Sequence, residues 1–394
     1  MILRLEDCEL DTEQFELRRG GQAVPVEPQV FDLLRLLIEN RDRIVTKDEL
    51  FEKVWEGRIV SDATLNSRIN AARKAIGDNG TDQRLIRTAR RRGYRFVGEV
   101  VGDDEQDGSG GYVPPLKQHI RFCKSPGGVR LAYATVGEGP PLVQTANWLT
   151  HLEYDWESPI WQRTLERLAT GRRLIRYDER GCGLSDWEVE DISFDAFLSD
   201  LETVADAIGL ERFDLFGRSQ GCAVSIAYAV RHPERVSRLV LLNGYAQGRE
   251  RSGDPAEVEK AAALRTLIRQ GWGDEHSALL PAFTTMYAPD STSEQIKALA
   301  ELQRRSATAE NAMRIREACD RIDVVDLLAD VKAPTLVLHV RHDSVAPFEQ
   351  GRLIAASIPD AHFVPLESNN HVLHPDEPAW ERCYSEVDAF LADG

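Results

Sequence analysis

Apolar residues follow two different periods along the chain, and the change of period divides it into two parts. Before residue 100, apolar side chains recur at helical spacing at about 28–39, from Thr46, and from Ser61 or Asp62 to Gly77. After residue 118, short apolar runs alternate with amphipathic segments. The second pattern predicts a mostly parallel sheet with helices on both faces.

Short strands and local helix signals complete the prediction for the first part. Strand-like pieces lie at Ile2–Leu5 and Phe15–Arg18. Pro28 stands where the first turn of a helix favours proline, and Thr46 with Glu49 fits a capping box. The segment LIRTARRRGYRFV then predicts two strands around a basic turn. Three helices followed by a hairpin predict a winged helix-turn-helix.

The second part contains seven predicted strands and three predicted helices. The strands are 129–136, 142–145, 173–177, 213–216, 236–242, 335–340 and 362–366, and the helices are 160–169, 194–208 and 220–231. Residues 246–330 break this alternation, because they are helical and rich in large apolar residues. This interval is predicted to be an inserted cap.

Charge is distributed unevenly and changes the interpretation of the first part. The net charge of −17 alone argues against nucleic acid as a partner, yet residues 58–95 hold ten basic and three acidic residues. Screening confines electric fields to about 10 Å, so local charge decides whether phosphates are attracted. The chain thus joins a basic segment near its N-terminus to an acidic second part, and a proposed function must account for this difference in charge.

The predicted third helix and hairpin carry side chains suited to DNA. Arg and Asn can bond base edges, while Arg and Lys can hold phosphates, and a basic hairpin tip suits phosphates or a minor groove. The candidate DNA-binding residues are Asn66, Arg68, Arg73, Lys74, Arg87, Arg90, Arg91, Arg92 and Arg95. Alternatively, these basic residues form a solvated face or dock on the acidic second part of the chain. Because the positive charge falls on two adjacent elements, the helix and the hairpin, DNA is the favoured partner.

The first part resembles the OmpR/PhoB-type winged-helix DNA-binding domain over about residues 1–98. The runs VSDATLNSRINAARKAIGD and RLIRTARRRGYRFV carry the resemblance, and Arg92 to Phe96 match the end of the R-G-x-G-Y-x-F signature, with Arg91 in place of its first glycine. The resemblance implies double-stranded DNA as partner and a homodimer on paired half-sites. With no receiver segment in the sequence, it also implies a one-component regulator.

The second part contains a candidate nucleophile and its two partners. Gly217 to Gly221 read G-x-S-x-G between a predicted strand and helix, a turn that strains Ser219 and exposes its oxygen at a helix N-terminus. Asp343 and His371 follow later strands in the order serine, acid, histidine. Acyl transfer is predicted, with Ser219 attacking, His371 carrying the proton and Asp343 orienting the ring. The alternative histidines are His374, His342 and His151.

Further residues are predicted to complete the site. The backbone N–H groups of Gln220 and Trp148 are the candidate oxyanion donors. Side chains that are large or charged form the candidate ligand pocket: Trp148, Arg218, Trp272, Phe283, Met286 and Tyr287. Arg218 either holds a carboxylate or forms a surface ion pair. Asp178 and Arg180 are predicted to hold a loop rather than to do chemistry.

These motifs resemble the α/β-hydrolase superfamily over about residues 119–394, in particular capped members such as meta-cleavage-product hydrolases and perhydrolase-like esterases. D-x-R-G-x-G-x-S is present from Asp178 to Ser185, whereas Ala146-Asn147 replaces the family's His-Gly before Trp148. Replacing His-Gly by Ala146-Asn147 affects the expectation of catalytic turnover more than the expectation of ligand binding. The expected fold class is therefore multidomain: a winged helix-turn-helix (α+β) at 1–100, a flexible linker at 101–118, and an α/β-hydrolase fold at 119–394 with a helical cap at about 246–330.

The favoured function is a one-component transcriptional regulator whose hydrolase-like domain senses a small apolar ester, lactone or ketone. The sequence leaves hydrolysis of that ligand open. The alternatives are a serine carboxylester or C–C bond hydrolase, and a catalytically inactive ligand sensor. Six scattered cysteines without a C-x-x-C pair argue against disulfides and a metal site, so reduced thiols in a cytoplasm and no cofactor are expected. No apolar run is long enough to span a membrane, and no signal peptide is expected.

Overall fold

A computed structural model of the chain contains two compact units, Met1–Pro114 and Pro115–Gly394. The residues that it describes are 2–5, 7–12, 15–41, 43–55, 62–89, 92–98, 100–102, 116–272 and 277–392. Each unit has buried apolar clusters of its own, and no cluster draws residues from both.

Three helices and eight short strands make up the described part of the first unit. In chain order they are β1 (Ile2–Leu5), β2 (Cys8–Asp11), β3 (Glu16–Arg19), β4 (Gln22–Val24), α1 (Pro28–Glu39), β5 (Val45–Thr46), α2 (Lys47–Trp55), α3 (Asp62–Ala75), β6 (Ile86–Ala89), β7 (Gly93–Phe96) and β8 (Val101–Gly102). One sheet has the order β4-β3-β2-β1-β8 and a second the order β5-β7-β6. The first two residues of the predicted linker therefore pair with β1 instead of leaving the unit.

Local signals in the sequence account for two helix starts in this unit. Pro28 is the first residue of α1, as predicted. At α2, the Thr46 hydroxyl accepts the Glu49 N–H at 3.2 Å, and the Glu49 carboxylate accepts the Thr46 N–H at 3.0 Å. This reciprocal pair is the predicted capping box, and it satisfies two backbone donors that a helix start leaves unpaired.

The second unit is an eight-stranded sheet with helices on both faces. Its elements are β9 (His119–Lys124), β10 (Arg130–Val136), β11 (Pro141–Gln144), α4 (Leu152–Glu157), α5 (Gln162–Ala169), β12 (Arg173–Tyr177), α6 (Phe194–Ile208), β13 (Phe213–Arg218), α7 (Gln220–Arg231), β14 (Val236–Leu242), α8 (Pro255–Gly271), α9 (Leu279–Thr285), α10 (Ser293–Ser306), α11 (Ala309–Asp320), β15 (Thr335–Val340), α12 (Phe348–Ser357), β16 (His362–Leu366) and α13 (Pro378–Ala392). The strand order is β16-β15-β14-β13-β11-β12-β10-β9.

Six strands of this sheet, β16 to β12 in spatial order, run parallel, and β10 runs antiparallel to both of its neighbours, β12 and β9. Successive side chains of a strand point to opposite faces. Accordingly Leu215 belongs to the apolar cluster on one face and Phe216 to the cluster on the other. Because both faces are covered, the central strands β13 to β15 are largely buried and rich in apolar residues, which is typical of parallel sheets.

Helices α8 to α11 lie between β14 and β15, in the interval that the sequence predicts to be a cap. The cap is joined to the loop after β16, because the Val372 N–H donates to the Tyr287 carbonyl at 2.9 Å. The Asp290 N–H likewise donates to the Asn370 side chain at 3.0 Å. In the described residues, no helix is both long and apolar enough to cross a bilayer.

Candidate functional site

The turn between β13 and α7 presents Ser219. Its φ of 51° and ψ of −126° lie in a region that residues other than glycine rarely occupy. A Cβ at position 217 would lie 2.8 Å from the Cα of Cys222, and one at position 221 would lie 2.8 Å from the Ala146 carbonyl. The two glycines of the motif are therefore required by the close approach of the helix to β13 and to the end of β11.

His371 and Asp343 form a buried pair. The Nδ1 of His371 lies 2.6 Å from Oδ2 of Asp343, and both residues are at least nine-tenths buried. The other carboxylate oxygen accepts the N–H groups of Val345 at 2.7 Å and Ala346 at 3.0 Å. Burial opposes the charged form of Asp343, but His371 and the backbone donors outweigh it and hold the carboxyl pKa below its ordinary value.

Asn243, which sequence analysis did not single out, holds the histidine loop. Its side-chain N–H donates to the His371 carbonyl at 2.8 Å, and its side-chain oxygen accepts the Val340 N–H at 2.9 Å. The residue is fully buried with a φ of 51°. Asparagine tolerates this conformation better than most residues. The sequence feature that could have identified Asn243 is an asparagine directly after a buried strand.

The three alternative histidines lie elsewhere. His374 bonds the Ser291 hydroxyl, His151 caps α4 through Tyr154, and His342 is exposed. None of them lines the cavity that His371 lines. The loop residues behave as predicted: Asp178 accepts the N–H groups of Leu152 and Leu184, and Arg180 pairs with buried Asp200 at 2.7 Å.

Ser219 and His371 open into one cavity of about 630 Å³, its open mouth included. Of the six predicted pocket residues, Trp148, Arg218 and Tyr287 line it. The other three do not, which corrects the prediction for them. Trp272 packs edge-on against Trp148, Phe283 contacts both Trp148 and Tyr287, and the partly buried Met286 packs against the core.

Gln303 is a cavity residue that sequence analysis missed. Its side-chain oxygen accepts the indole N–H of Trp148 at 2.9 Å, and its amide donates to the Thr284 hydroxyl at 2.9 Å. Trp148 precedes α4 and the other two residues belong to the cap. The bonds thus fix the indole plane in the cavity wall, and a polar residue within an amphipathic helix gives little sign of such a role.

The two candidate oxyanion donors stand at the edges of this cavity. Gln220 is the first residue of α7 and directly follows Ser219, and Trp148 follows the end of β11. Trp148 lines the cavity. Backbone donors beside a nucleophile are what a developing oxyanion requires.

Charged side chains are buried in one wall of the cavity. Asp155 pairs with Arg176 at 2.9 Å, and both are buried. Burial raises the pKa of Asp155 to about 7, although the Arg176 charge lowers it. Arg218 is 5% exposed and lies over the Trp161 ring at 4.6 Å, so it forms no surface ion pair.

The first unit presents a polar stripe on α3. Asn66, Asn70 and Lys74 are four residues apart and exposed, so they share one face of the helix. Arg68 is partly buried and ion-paired with Glu27 at 2.7 Å. The stripe is the face that can enter a groove, and Arg68 lies beside it.

Arg73 departs from its predicted role. It is 4% exposed, its guanidinium donates to the Ile86 carbonyl at 2.8 and 3.1 Å, and it donates to the Thr88 hydroxyl at 2.9 Å. These bonds fasten α3 to the hairpin. Arginine can serve a solvent face or a buried carbonyl, and the helical pattern does not distinguish them, so Arg73 is corrected from a DNA contact to a structural residue.

The β6–β7 hairpin is basic where it can be described. Arg87 and Arg95 are directly opposite each other on the two strands and both are exposed, as is Arg92. Like charges in opposed positions destabilise a hairpin unless an anion neutralises them. The predicted contacts Arg90 and Arg91 lie outside the described residues.

Gly93 is required by the fold of this hairpin. Its φ is 152°, and a Cβ there would lie 2.0 Å from the Val45 carbonyl of β5. The glycine of the signature thus lets the hairpin pair with β5. Among the described residues, no cluster of side chains could hold a metal ion.

Comparison with known families agrees with both halves of this arrangement. Residues 21–96 match the family model described as "Transcriptional regulatory protein, C terminal", which is the DNA-binding domain of that class. Residues 149–378 match the model described as "alpha/beta hydrolase fold". Since that match covers more than half of the chain, the protein belongs to the alpha/beta hydrolase fold family, here joined to a winged-helix DNA-binding domain.

Individual relatives resemble the second unit. A pyrrolizixenacetamide deacetylase of Xenorhabdus hominickii is 26% identical over 261 residues, which are 64% of this chain and 92% of the relative. A 2-hydroxy-6-oxononadienedioate/2-hydroxy-6-oxononatrienedioate hydrolase of Pseudomonas putida is 29% identical over 62% of this chain and 85% of its own. The crystal structure of an enol-lactonase from Burkholderia xenovorans superposes with a TM-score of 0.57, at 25% identity over 69% of this chain and all of that one.

Proposed function

We propose that the protein is a one-component transcriptional regulator that binds double-stranded DNA through its winged helix and binds and hydrolyses a small ester, lactone or ketone in its second domain. The observation that carries the hydrolytic half is the pairing of His371 with Asp343 in the cavity onto which strained Ser219 opens. The relatives are a deacetylase, a dienedioate hydrolase and a lactonase, so kinship supports a hydrolytic reaction without fixing the substrate.

The proposed reaction follows from the bonds around His371. Because Nδ1 is held by Asp343, Nε2 is the nitrogen that takes the Ser219 proton as the serine oxygen attacks the substrate carbonyl. The N–H groups of Gln220 and Trp148 would bind the oxyanion. His371 then returns the proton to the leaving group, and a water deprotonated by His371 releases the acyl group from Ser219.

The DNA half rests on the face formed by α3 and the hairpin. The stripe of Asn66, Asn70 and Lys74 carries side-chain N–H donors for base edges, while the Asn66 oxygen accepts the Tyr94 hydroxyl. The opposed Arg87 and Arg95 have no acidic partner within the described residues of the unit. Phosphates would neutralise this pair, and two chains on paired half-sites are the expected assembly.

Intact-mass analysis after fluorophosphonate treatment tests the nucleophile, with the wild type and Ser219→Ala side by side. We expect one adduct on the wild type and none on the variant, because only an activated serine reacts. An adduct that persists on Ser219→Ala would place the nucleophile elsewhere. No adduct on either protein would favour the alternative of an inactive ligand sensor.

Selection from a random DNA library, followed by titration of the selected duplex, tests the regulatory half. The full chain should bind one family of DNA sequences far more tightly than unrelated duplex DNA. A substrate found by ester screening should change the DNA affinity of the Ser219→Ala protein, which cannot hydrolyse that substrate. Equal affinity with and without the substrate would reject the sensor function while leaving the hydrolase intact.

A further inference from the structure

Arg218 stands out in the cavity as a buried arginine that has no ion-pair contact among the described residues. The residue is 5% exposed, it is next to Ser219 in the chain, and it lines the same cavity as Ser219 and His371. Among the described residues no carboxylate lies within ion-pair distance of its guanidinium, whereas the other buried arginines of this domain, Arg176, Arg180 and Arg316, each pair with an aspartate.

The groups that do contact Arg218 are neutral. One guanidinium nitrogen donates to the Tyr384 hydroxyl, the guanidinium lies 4.6 Å from the centre of the Trp161 ring and 5.8 Å from that of Phe216, and Nε has no partner. Asp155 lines the same cavity and lies near enough to interact with the Arg218 charge, but its carboxylate is hydrogen-bonded to Arg176. A buried cation with an unused donor costs free energy unless an anion joins it.

The strand places Arg218 at the cavity. Arg218 is the last residue of β13, directly before Ser219 and two positions after Phe216, so its side chain and that of Phe216 share a face of the sheet. On that face the guanidinium contacts Trp161 and Tyr384. The planar fork of arginine suits a carboxylate, which can accept two parallel bonds from it.

We propose that Arg218 binds a carboxylate of the substrate, so that the substrate class is a short carboxylic acid that also carries the ester or ketone attacked by Ser219. This inference rests on the proposed hydrolytic function and narrows it. It replaces a purely apolar ligand by one that has a single anionic end. The apolar walls near Trp148 and Tyr287 then hold the chain between the two functional groups.

Matched esters test the inference. The monomethyl esters of succinic, glutaric and adipic acid carry one carboxylate and one ester, and the dimethyl esters are their uncharged counterparts. Wild-type kcat/KM should favour the best half-ester over its diester, and Arg218→Gln should lower kcat/KM for that half-ester by about 10- to 100-fold, the effect of losing a charge-assisted hydrogen bond. The diester should change by less than about threefold.

Two control variants separate recognition from structure. Arg163→Gln removes an arginine that also lies over a tryptophan ring, Trp380, at 5.8 Å, but does not line the cavity, so it should leave both esters unaffected. Arg218→Lys keeps the charge and should retain part of the half-ester preference even if Arg218→Gln fails to fold. Equal losses for half-ester and diester in Arg218→Gln and Arg218→Lys would overturn the proposal, because a structural role affects both substrates alike.

Binding to Ser219→Ala, measured by isothermal titration calorimetry, distinguishes failure of the inference from failure of the function. Binding of a half-ester that depends on Arg218 supports the inference even if the wild type turns over no ester. Hydrolysis by the wild type with equal affinity for half-ester and diester rejects the inference and leaves the hydrolase intact. Absence of half-ester binding at all three chain lengths also overturns it.

Discussion

Glu179 is an acid buried next to the proposed oxyanion donor. It is 1% exposed, and one of its oxygens accepts the Gln220 side-chain N–H at 3.0 Å while the other has no partner in the described chain. Burial raises its pKa to about 8, against a smaller lowering by the Gln220 bond. The folded chain therefore keeps this carboxyl protonated at neutral pH.

This raised pKa predicts a pH-dependent stability. The folded pKa exceeds the unfolded value, so the stabilisation is fully present below about pH 4.5 and is lost as the pH rises through about 8. Glu179→Gln, which cannot ionise, should therefore gain free energy of unfolding relative to the wild type between about pH 5 and 8.5, by at most about 5 kcal/mol.

Urea unfolding followed by tryptophan fluorescence measures the difference, because six of the seven tryptophans lie in the second unit. Glu259→Gln, at an exposed position on α8, is the control and should show no such trend. A constant difference between Glu179→Gln and the wild type across this range would contradict the prediction.

The role of a residue could be predicted from the sequence where a short motif determines the local backbone conformation. Ser219 between Gly217 and Gly221 is such a case, since the close approach of α7 is local in sequence. Roles that depend on distant partners were not predictable. Arg218 bonds Tyr384, which is 166 positions away, and Trp148 bonds Gln303 across 155 positions. No periodicity within a helix or strand encodes such contacts.

At the level of elements, the bonds that fasten α3 to the hairpin separate one buried arginine from the exposed arginines. Arg73 is used inside the unit, while Arg87 and Arg95 face outward on paired strands. Asp78 supports the same junction, because its carboxylate accepts the backbone N–H groups of Arg84, Leu85 and Ile86. The hairpin is thereby held rigidly beside the polar stripe.

Substitutions in these elements should therefore act differently. Arg87→Gln and Arg95→Gln should each reduce the slope of log affinity for DNA against log salt by about 0.9, the effect of one lost phosphate contact. Arg73→Met should lower the melting temperature of the first unit without removing a phosphate contact. Fluorescence anisotropy at several salt concentrations and calorimetry measure the two effects. An unchanged slope in Arg87→Gln and Arg95→Gln would argue against their contact with DNA.

Elements with a strong apolar period were predicted well, and those without one were missed. Helix α1 and strands β12, β14, β15 and β16 begin and end where the sequence pattern predicts. Strands β2, β4, β5, β8 and β9 were missed. No side chain of β9 is fully buried, so this strand lacks the apolar run that marks the central strands, and among the described strands it pairs only with β10.

At the scale of the whole molecule, the two units have separate apolar cores. Leu33 is fully buried in the first and Leu338 in the second. Separate cores predict two unfolding transitions in differential scanning calorimetry. Leu33→Ala should destabilise the first unit and Leu338→Ala the second, each by about 2–5 kcal/mol, the range for such cavities. A shift of both transitions by either variant would show that the units unfold together.

The sequence by itself determined that two domains of different class are joined, that one carries a basic helix and hairpin, and that the other carries serine, acid and histidine in hydrolase order. The sequence shows these properties because backbone preferences, apolar periods and short motifs can each be recognised within a few residues. The tertiary structure decided which basic side chains face outward, that Trp272 and Phe283 pack behind the cavity wall, and that Arg218 is buried at the cavity. Those outcomes depend on packing between elements that are far apart in the chain. The same residue type can be exposed to solvent, buried in a core or in contact with a ligand, depending on which residues surround it.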